Sequence, residues 1–246
     1  MTQDQAFDIL TMGHNVFLTG AAGTGKTYLI NRFIRHAREH GISIAVTAST
    51  GIAATHIGGM TIHSWSGMGI RDTLTDEDID MIVSREYLTK RFAKTNILII
   101  DEISMLSGVF LANLDRLLRS TRFSQEPFGG IQVVLVGDFF QLPPVSRGSD
   151  VEFAFEDPVW RTFRLAICVL DVQYRQVANP LLKILNEIRS GKISSESYAL
   201  LDSRNIPVDT EDHTELFTKN ISVDTYNTQR LSAIHDDTFV FEMQSR

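Results

Sequence analysis

One segment, Gly20–Thr27, limits the possible folds of this chain more than any other. It reads GAAGTGKT, follows the apolar run Asn15–Thr19, and leads into Lys26–Arg38, where apolar residues recur at helical spacing. A glycine-rich loop between a strand and a helix turns backbone N–H groups inward around phosphate oxygens, and the helix dipole favours the same negative charge. The segment therefore predicts a loop that binds nucleotide phosphates, with Lys26 reaching the β- and γ-phosphates and the Thr27 hydroxyl ligating Mg²⁺.

Short apolar runs alternate with helical patterns along most of the chain. Runs this short and this apolar are typical of strands buried on both faces of a parallel sheet that helices cover. The predicted strands are Asn15–Thr19, Ser43–Ala48, Asn96–Asp101, Ile131–Gly137 and Leu165–Val172. Asn179 and Pro180 predict the start of a later helix, and Gly191 predicts its end. The alternation predicts an α/β fold.

Charge and composition narrow the class of protein. The net charge is −7, from 23 basic and 30 acidic residues, which disfavours a small basic DNA-binding module. Any role with nucleic acid therefore has to rest on motifs. The single cysteine, Cys168, excludes a disulfide framework and a zinc site of the CxxC type. With no apolar run of about 18–20 residues and no secretory pattern at the N-terminus, we expect an intracellular protein without membrane contact, cytoplasmic or nucleoid-associated if bacterial.

Polar residues follow two of the predicted strands, at the sheet edge where ligands bind in such folds. Asp101 fits a carboxylate that holds Mg²⁺, and Glu102 fits the group that orients and deprotonates the attacking water. Gln141, in GDFFQLPPV, is a neutral amide that can bridge the γ-phosphate or that water. The alternative for Gln141 is a simple turn before Pro143.

Two further segments are more ambiguous. Arg175, in VQYRQ, can neutralise transition-state charge, but spacing alone favours a surface ion pair equally. The small polar and aromatic residues of Thr47–Ala54 and Thr61–Trp65 suit contact with a nucleic-acid backbone and stacking on a base. Composition alone favours a well-packed loop with a capped helix there, and His63 by itself is more typical of a core histidine.

Residues 71–94 interrupt the alternation with an acidic half followed by a basic half. Thr75 and Asp78 form the pattern of a variant capping box, so we predict a small helical insertion. A solvated helix pair without a role is the alternative. Near the C-terminus, the segments LFTKNISVDTYN and FVFEM have strand-like patterns, and they predict the start of a second domain.

Together these segments resemble superfamily-one DNA helicases, and within them the PIF (petite integration frequency) family. The resemblance rests on GAAGTGKT, TASTGIAATHIGGMTIHSWSGMG, DEISM, LDRLLRSTRFSQEPFGGIQ, VGDFFQLPPVS and QYRQ, and it covers most of residues 1–235. RecD-type relatives share GDxxQLPPV but usually lack the long TASTGIAA stretch.

The resemblance implies an ATP-driven 5′-to-3′ translocase that separates duplex DNA, with ATP and Mg²⁺ as cofactors and single-stranded, forked or G-quadruplex DNA as partners. Roles in DNA repair, recombination and telomere maintenance go with the family. It implies a RecA-like motor domain over residues 1–165, a wedge-type insertion over 71–95, and the start of a second RecA-like domain over 166–246. We expect a monomer.

The resemblance also assigns roles to single residues. Catalytic roles fall to Lys26, Glu102, Gln141 and Arg175, and metal ligation to Thr27 and Asp101. The nucleotide is expected to contact Gln5, which reads adenine, and Gly20, Ala21, Ala22, Gly23, Thr24, Gly25, Lys26, Thr27 and Tyr28. The expected DNA contacts are Thr50, Gly51, His63, Trp65 and Pro144.

The sequence departs from the family pattern in one respect. Segments similar to TVHKSQG and VALSR, with which family members continue, do not occur in it. We therefore expect a first motor domain with a stub of the second, which binds ATP–Mg²⁺, hydrolyses it poorly and does not unwind DNA unaided. The alternative is a truncated RecA-like module that binds nucleotide or DNA without turnover. A GTPase is disfavoured because no [NT]KxD motif is present, and a small kinase because the basic residues form no arginine-rich lid.

Overall fold

A computed structural model describes residues 1–69, 71, 73–145, 152–172, 180–205, 214–234, 236 and 239. The chain divides into two compact units, Met1–Ile193 and Ser194–Arg246. In the described part of the first unit, six parallel strands form one sheet in the order β3-β2-β4-β5-β1-β6. No helix in the described ranges is both long and apolar enough to cross a bilayer.

The strands are short, and the helices are mostly of moderate length. The strands are β1 (Val16–Gly20), β2 (Ile44–Ala48), β3 (Met60–Thr61), β4 (Ile97–Asp101), β5 (Gln132–Val136) and β6 (Ala166–Leu170). The helices of the first unit are α1 (Gln3–Thr11), α2 (Lys26–Glu39), α3 (Gly51–His56), α4 (Ile62–Ser66), α5 (Asp76–Val83), α6 (Glu86–Lys94), α7 (Gly108–Arg122), α8 (Val159–Thr162) and α9 (Pro180–Ser190). The second unit contains α10 (Ser195–Asp202) and α11 (Asn220–Ser232).

The sheet has a separate apolar core on each face. Because successive side chains of a strand point to opposite faces, Ile97 and Ile99 of β4 join the core formed with α1, α2 and α3. Leu98 and Ile100 of the same strand join the other core, which includes residues of α4 to α8. This two-sided burial explains why the strands are apolar almost throughout and confirms the predicted α/β class with a helix-covered parallel sheet.

The predicted elements agree closely with the structure in this unit. Each of the five predicted strands is present with its ends shifted by at most two residues. The predicted insertion is helical, since α5 and α6 occupy it, and Thr75 and Asp78 form the predicted capping box. Helix α9 begins at Pro180, and Gly191 follows its last residue in a left-handed conformation. Cys168 is buried in β6, as its apolar surroundings indicate.

Two predictions about the C-terminal part of the chain were wrong. A first domain ending at residue 165 excludes β6, yet Ala166–Leu170 pairs in register with β1, and the first unit extends to Ile193. The segment LFTKNISVDTYN was predicted to be strand-like, but most of it belongs to helix α11. The segment FVFEM, apart from Phe239, lies outside the described residues.

The block LDRLLRSTRFSQEPFGGIQ contains the second half of α7 and the turn that leads into β5. Phe128 and Gly129 both have positive φ (52° and 64°), so the turn before β5 needs external support. Asp115 accepts a hydrogen bond from the Phe128 backbone N–H at 2.6 Å. Arg122 donates to the Gly129 carbonyl at 2.7 Å and to the Phe92 carbonyl near the end of α6 at 2.7 Å. Arg122 thereby ties the insertion and the turn to α7.

The hydrogen bonds of Arg122 to Gly129 and Phe92 predict that Arg122→Met lowers the stability of the fold. The substitution leaves backbone carbonyls of α6 and of the turn without their charged donor, which costs about 1.5–3 kcal/mol in the free energy of unfolding. Urea unfolding measures this, with Arg35→Met as the control, because Arg35 is exposed on α2. Equal midpoints for the two variants would contradict the assigned role of Arg122.

Candidate functional site

Three loops converge at the carboxyl edge of the sheet. All six strands are parallel, so the loops that follow them leave from one edge, and β5 lies between β4 and β1. The phosphate loop after β1, the Asp101–Glu102 pair at the end of β4 and the loop Asp138–Gln141 after β5 are therefore neighbours. This is the edge at which parallel α/β sheets bind ligands.

Two glycines shape the phosphate loop. A side chain at Gly20 would place its Cβ only 2.6 Å from the Leu170 carbonyl oxygen, so the close approach of β6 requires glycine there. Gly25 is the N-cap residue of α2, with φ 84° and ψ 24°, and no side chain caps the first turn. Glycine adopts this left-handed conformation at little cost. The uncapped N–H groups at the start of α2 are the donors that a phosphate group requires.

The side chain of Lys26 is hydrogen-bonded to the backbone of the phosphate loop. Its Nζ donates to the Gly20 carbonyl at 2.7 Å and to the Ala21 carbonyl at 3.2 Å. Burial lowers the pKa of Lys26, and the nearby carboxylates of Asp138 and Glu102 act in the opposite direction. The ammonium group is thus a partly desolvated cation surrounded by acceptors, at the position where a triphosphate is expected.

Asp101 and Glu102 form a strained turn at the end of β4. The Glu102 backbone is left-handed, with φ 54° and ψ 47°, which costs a residue with a side chain about 1–2 kcal/mol. The Asp101 carboxylate accepts a hydrogen bond from the Glu102 N–H at 2.9 Å and so supports this turn. Burial raises the pKa of Asp101 to about 6, although that hydrogen bond opposes the shift. Such strain is typical of functional positions.

Gln141 is anchored by a buried aspartate that the sequence analysis did not single out. Asp138 accepts hydrogen bonds from the Gln141 side-chain amide at 3.2 Å and from the Phe140 N–H at 3.1 Å. It also forms an ion pair with Arg189 of α9. Burial favours a higher pKa for Asp138, but the hydrogen bonds from Arg189, Phe140 and Gln141 hold it below its usual range. The GD preceding FFQ was the available signal for Asp138; no sequence signal pointed to Arg189.

The other predicted nucleotide contacts, apart from Gln5, lie on the same loop or in the first turn of α2. Ala21, Ala22, Gly23 and Thr24 form its turn, and Thr27 and Tyr28 are exposed in the first turn of α2. Gln5 closes a capping box on α1, because its side-chain oxygen accepts from the Thr2 N–H at 3.0 Å. Its reading of adenine stays a prediction. Gln3 was not predicted, but its amide donates to the Thr24 carbonyl at 3.3 Å and to that of Gly25 at 3.4 Å.

The predicted DNA contacts divide into exposed and buried positions. Trp65 is only 3% exposed and packs on Phe92 with ring centroids 5.0 Å apart, so its prediction as a base-stacking residue was wrong. Short helix α4 is amphipathic, and its apolar side faces the core. His63 packs on Phe110 at 4.7 Å, and burial lowers its pKa. Pro144 is also buried.

The other two predicted DNA contacts lie at the start of α3. The Thr50 hydroxyl caps this helix by accepting from the Ala53 N–H at 3.2 Å, while Gly51 is exposed. Ile52, which the sequence analysis passed over, is 76% exposed beside them. Arg175 lies outside the described residues, so its catalytic role stays a prediction.

Comparison with known proteins places this arrangement in a family. The profile of PIF1-like helicases matches residues 2–198. The chain belongs to the PIF1-like helicase family. The ATP-dependent DNA helicase Pif1 of a Psychrobacter strain is 47% identical over 214 residues, which cover 82% of this chain and 32% of the relative. The ATP-dependent DNA helicase RRM3 of Saccharomyces cerevisiae is 40% identical over 86% of this chain and 30% of the relative.

Solved structures of PIF1-like helicases share the fold. The crystal structure of the Candida albicans Pif1 helicase has a TM-score of 0.87 at 34% identity, covering 96% of this chain and 55% of that one. A Bacteroides Pif1 helicase in complex with ADP-AlF3 and single-stranded DNA has a TM-score of 0.80 at 31% identity, covering 96% of this chain and 57% of that one. These comparisons confirm the RecA-like fold. The chain spans about a third of the length of these two curated relatives.

The raised pKa of Asp101 predicts a pH-dependent stability difference from Asp101→Asn. In the unfolded chain the carboxyl ionises near its ordinary pKa of 3.8, and in the folded PIF1-like domain near 6. Between these values the folded state retains a proton that the unfolded state has released, so stability falls as pH rises, and it levels off above 6. Asn does not titrate. In urea unfolding, the free energy of unfolding of Asp101→Asn should therefore rise relative to that of wild type between about pH 4 and pH 6. A difference that stays constant with pH would contradict the assigned burial cost.

Proposed function

We propose that this chain is the ATP-binding motor part of a PIF-type DNA helicase, which translocates 5′ to 3′ on single-stranded DNA. The observation that carries the proposal is the convergence of Lys26, Glu102 and Gln141 on one sheet edge next to the phosphate loop. The relatives Pif1 and RRM3 are ATP-dependent DNA helicases by name, which supports the same activity.

Each residue at this edge has a separate task in ATP hydrolysis. Lys26 moves from the Gly20 and Ala21 carbonyls to the β- and γ-phosphate oxygens and neutralises their charge. The Glu102 carboxylate orients the attacking water and accepts its proton. The Gln141 amide contacts the γ-phosphate or that water, so the loop after β5 senses hydrolysis. Arg175, which lies outside the described residues, is proposed to neutralise the developing charge on the γ-phosphate.

The residues at this edge fit a magnesium ion bound together with the nucleotide. Mg²⁺ binds through one or two protein oxygens, several waters and the substrate phosphates. Thr27 offers an exposed hydroxyl, and Asp101 offers a carboxylate whose negative charge burial disfavours and a cation would offset. The described residues contain no cluster of three or more His, Cys, Asp or Glu side chains that could hold a metal ion. The ion would supply charge neutralisation at the phosphates.

Single-stranded DNA is proposed to cross the carboxyl edge of the sheet. One Bacteroides relative was solved with single-stranded DNA, and another structure of similar fold concerns forked duplex DNA. This edge carries exposed apolar side chains: the Phe140 ring suits stacking on a base, and the aliphatic side chains suit packing on sugars. These are Ile52, Phe140, Leu142 and Val145, exposed by 76%, 72%, 68% and 90%. The same proposal has four further parts. Helices α5 and α6 act as a strand-separating wedge, and G-quadruplexes are among the DNA substrates. The protein is a monomer and is intracellular.

ATP hydrolysis with and without single-stranded DNA tests the proposed activity. We expect the chain to hydrolyse ATP slowly and DNA to stimulate that turnover. Lys26→Ala should abolish the turnover, because the substitution removes a charge from the phosphate site. Arg35→Ala, which removes an exposed charge elsewhere on α2, is the matched control and should hydrolyse ATP like wild type. A folded, nucleotide-bound wild type whose turnover does not exceed that of Lys26→Ala would contradict the enzymatic proposal and favour a binding module.

The exposed Ile52 tests the DNA path. Ile52→Ser should weaken binding of a fluorescent oligothymidylate by roughly 10- to 100-fold, because burial of an isoleucine side chain contributes about 1.5–3 kcal/mol. Affinity for a fluorescent ATP analogue should not change. Ile42→Ser is the control, because Ile42 precedes β2 and so lies toward the opposite, amino edge of the sheet. Equal DNA affinity for both variants would contradict a path over α3.

A further inference from the structure

Arg189 connects helix α9 to the loop that carries Gln141. Its guanidinium group forms an ion pair with Asp138, whose side chain is only 2% exposed. The partners are 51 positions apart in the chain, so the contact joins two elements that the sequence does not place together. Arg189 itself retains 29% exposure of its side chain. A buried carboxylate that loses its cationic partner is costly, so Asp138 depends on Arg189.

The same carboxylate oxygen serves both the loop and the helix. Oδ2 of Asp138 accepts from the Gln141 side-chain amide at 3.2 Å and from Arg189. Oδ1 accepts from the Phe140 N–H at 3.1 Å, and the Asp138 carbonyl accepts from the Gln141 N–H at 2.9 Å. The orientation of Gln141 is therefore set by an aspartate whose own position and charge are fixed from α9.

Arg189 makes a second contact with the loop, at Phe140. The guanidinium carbon lies 4.4 Å from the centroid of the Phe140 ring, within the range of a cation–π contact. The preceding residue, Phe139, points the other way and packs on Phe17 at 5.3 Å and on Trp160 at 5.7 Å. The loop is thus fixed from the core on one side and by Arg189 on the other.

Arg189 also lies close enough to the phosphate loop to affect Lys26. Its charge contributes to the lowered pKa of Lys26, after burial, while Asp138 acts in the opposite direction. The two members of the ion pair therefore oppose each other in the field at Lys26. Loss of Arg189 would leave a net negative charge near the site of the triphosphate.

We propose that Arg189 is a positioning residue for ATP hydrolysis, which acts through Asp138 to hold Gln141 in register with the γ-phosphate. This inference rests on the hydrolytic role proposed above for Gln141. It also means that a displacement of α9 is transmitted to the nucleotide site through Arg189.

Two measurements on Arg189→Met test the proposal. Hydrogen exchange of the Phe140 and Gln141 amides, measured by mass spectrometry without nucleotide, should be at least several-fold faster than in wild type. DNA-stimulated turnover should fall roughly 10- to 100-fold, because misplacement of a reacting group by about 1 Å has effects of that size. Lys183→Met is the control, because it also removes a cation from α9. The Lys183 ammonium group pairs with Glu187 of the same helix at 4.0 Å. The control should change neither quantity.

A double-variant comparison separates positioning from mere stabilisation. If Arg189 acts through Gln141, adding Arg189→Met to Gln141→Ala should change turnover by less than twofold. A purely structural role would lower turnover by the same factor in both backgrounds and would overturn the proposal. If Arg189→Met does not fold, Arg189→Gln, which keeps a donor but not the charge, must give the same results.

The exchange measurement also separates this inference from the proposed function. Absence of DNA-stimulated turnover in wild type would refute the proposed function, while unchanged exchange in Arg189→Met would refute the anchoring of the loop by Arg189. Faster exchange together with additive turnover losses would refute the positioning role and leave the anchor as a stabilising contact alone.

Discussion

The ammonium group of Lys26 has to be kept charged inside a partly desolvated loop, and much of the sheet edge is arranged around that requirement. Burial favours the neutral amine. Two backbone carbonyls that accept from the ammonium group, and several carboxylates nearby, favour the charged form. Those carboxylates carry costs of their own: Asp101 resists ionisation, and Asp138 needs Arg189. A bound triphosphate with its cation would relieve several of these costs together, since it brings negative charge to Lys26 and positive charge to Asp101.

Much of the motif set that resembles the family supports geometry rather than chemistry. Asp115 and Arg122 hold a turn with two left-handed residues before β5, and the position of Gln141 beyond β5 depends on that turn. Trp65, in the segment assigned to DNA, fills the core against Phe92 of the insertion. These residues fix where the strand ends lie, and the reactive side chains are placed from those ends.

The sequence was sufficient for the parts of the fold that local patterns determine. Strands buried on both faces are continuous apolar runs, so β4 and β5 could be located almost to the residue, and so could the phosphate loop. Helix α11 was misread because Val223 and Thr225 suggest strand propensity, while the structure shows a helix with no buried residue. Trp65 was misassigned because an aromatic residue suits both a core and a base. The pairing of Asp138 with Arg189 joins distant positions, and no local pattern encodes it.

The left-handed backbone of Glu102 has an evolutionary consequence. Glycine or asparagine would adopt φ 54° with less strain, so the fold alone does not favour glutamate at this position. A descendant of this domain that had lost the hydrolytic role proposed for Glu102 could gain stability by replacing this residue, without any change in its architecture. Under that proposal, the residue at this one turn distinguishes a lineage under selection for turnover from one that keeps only the scaffold.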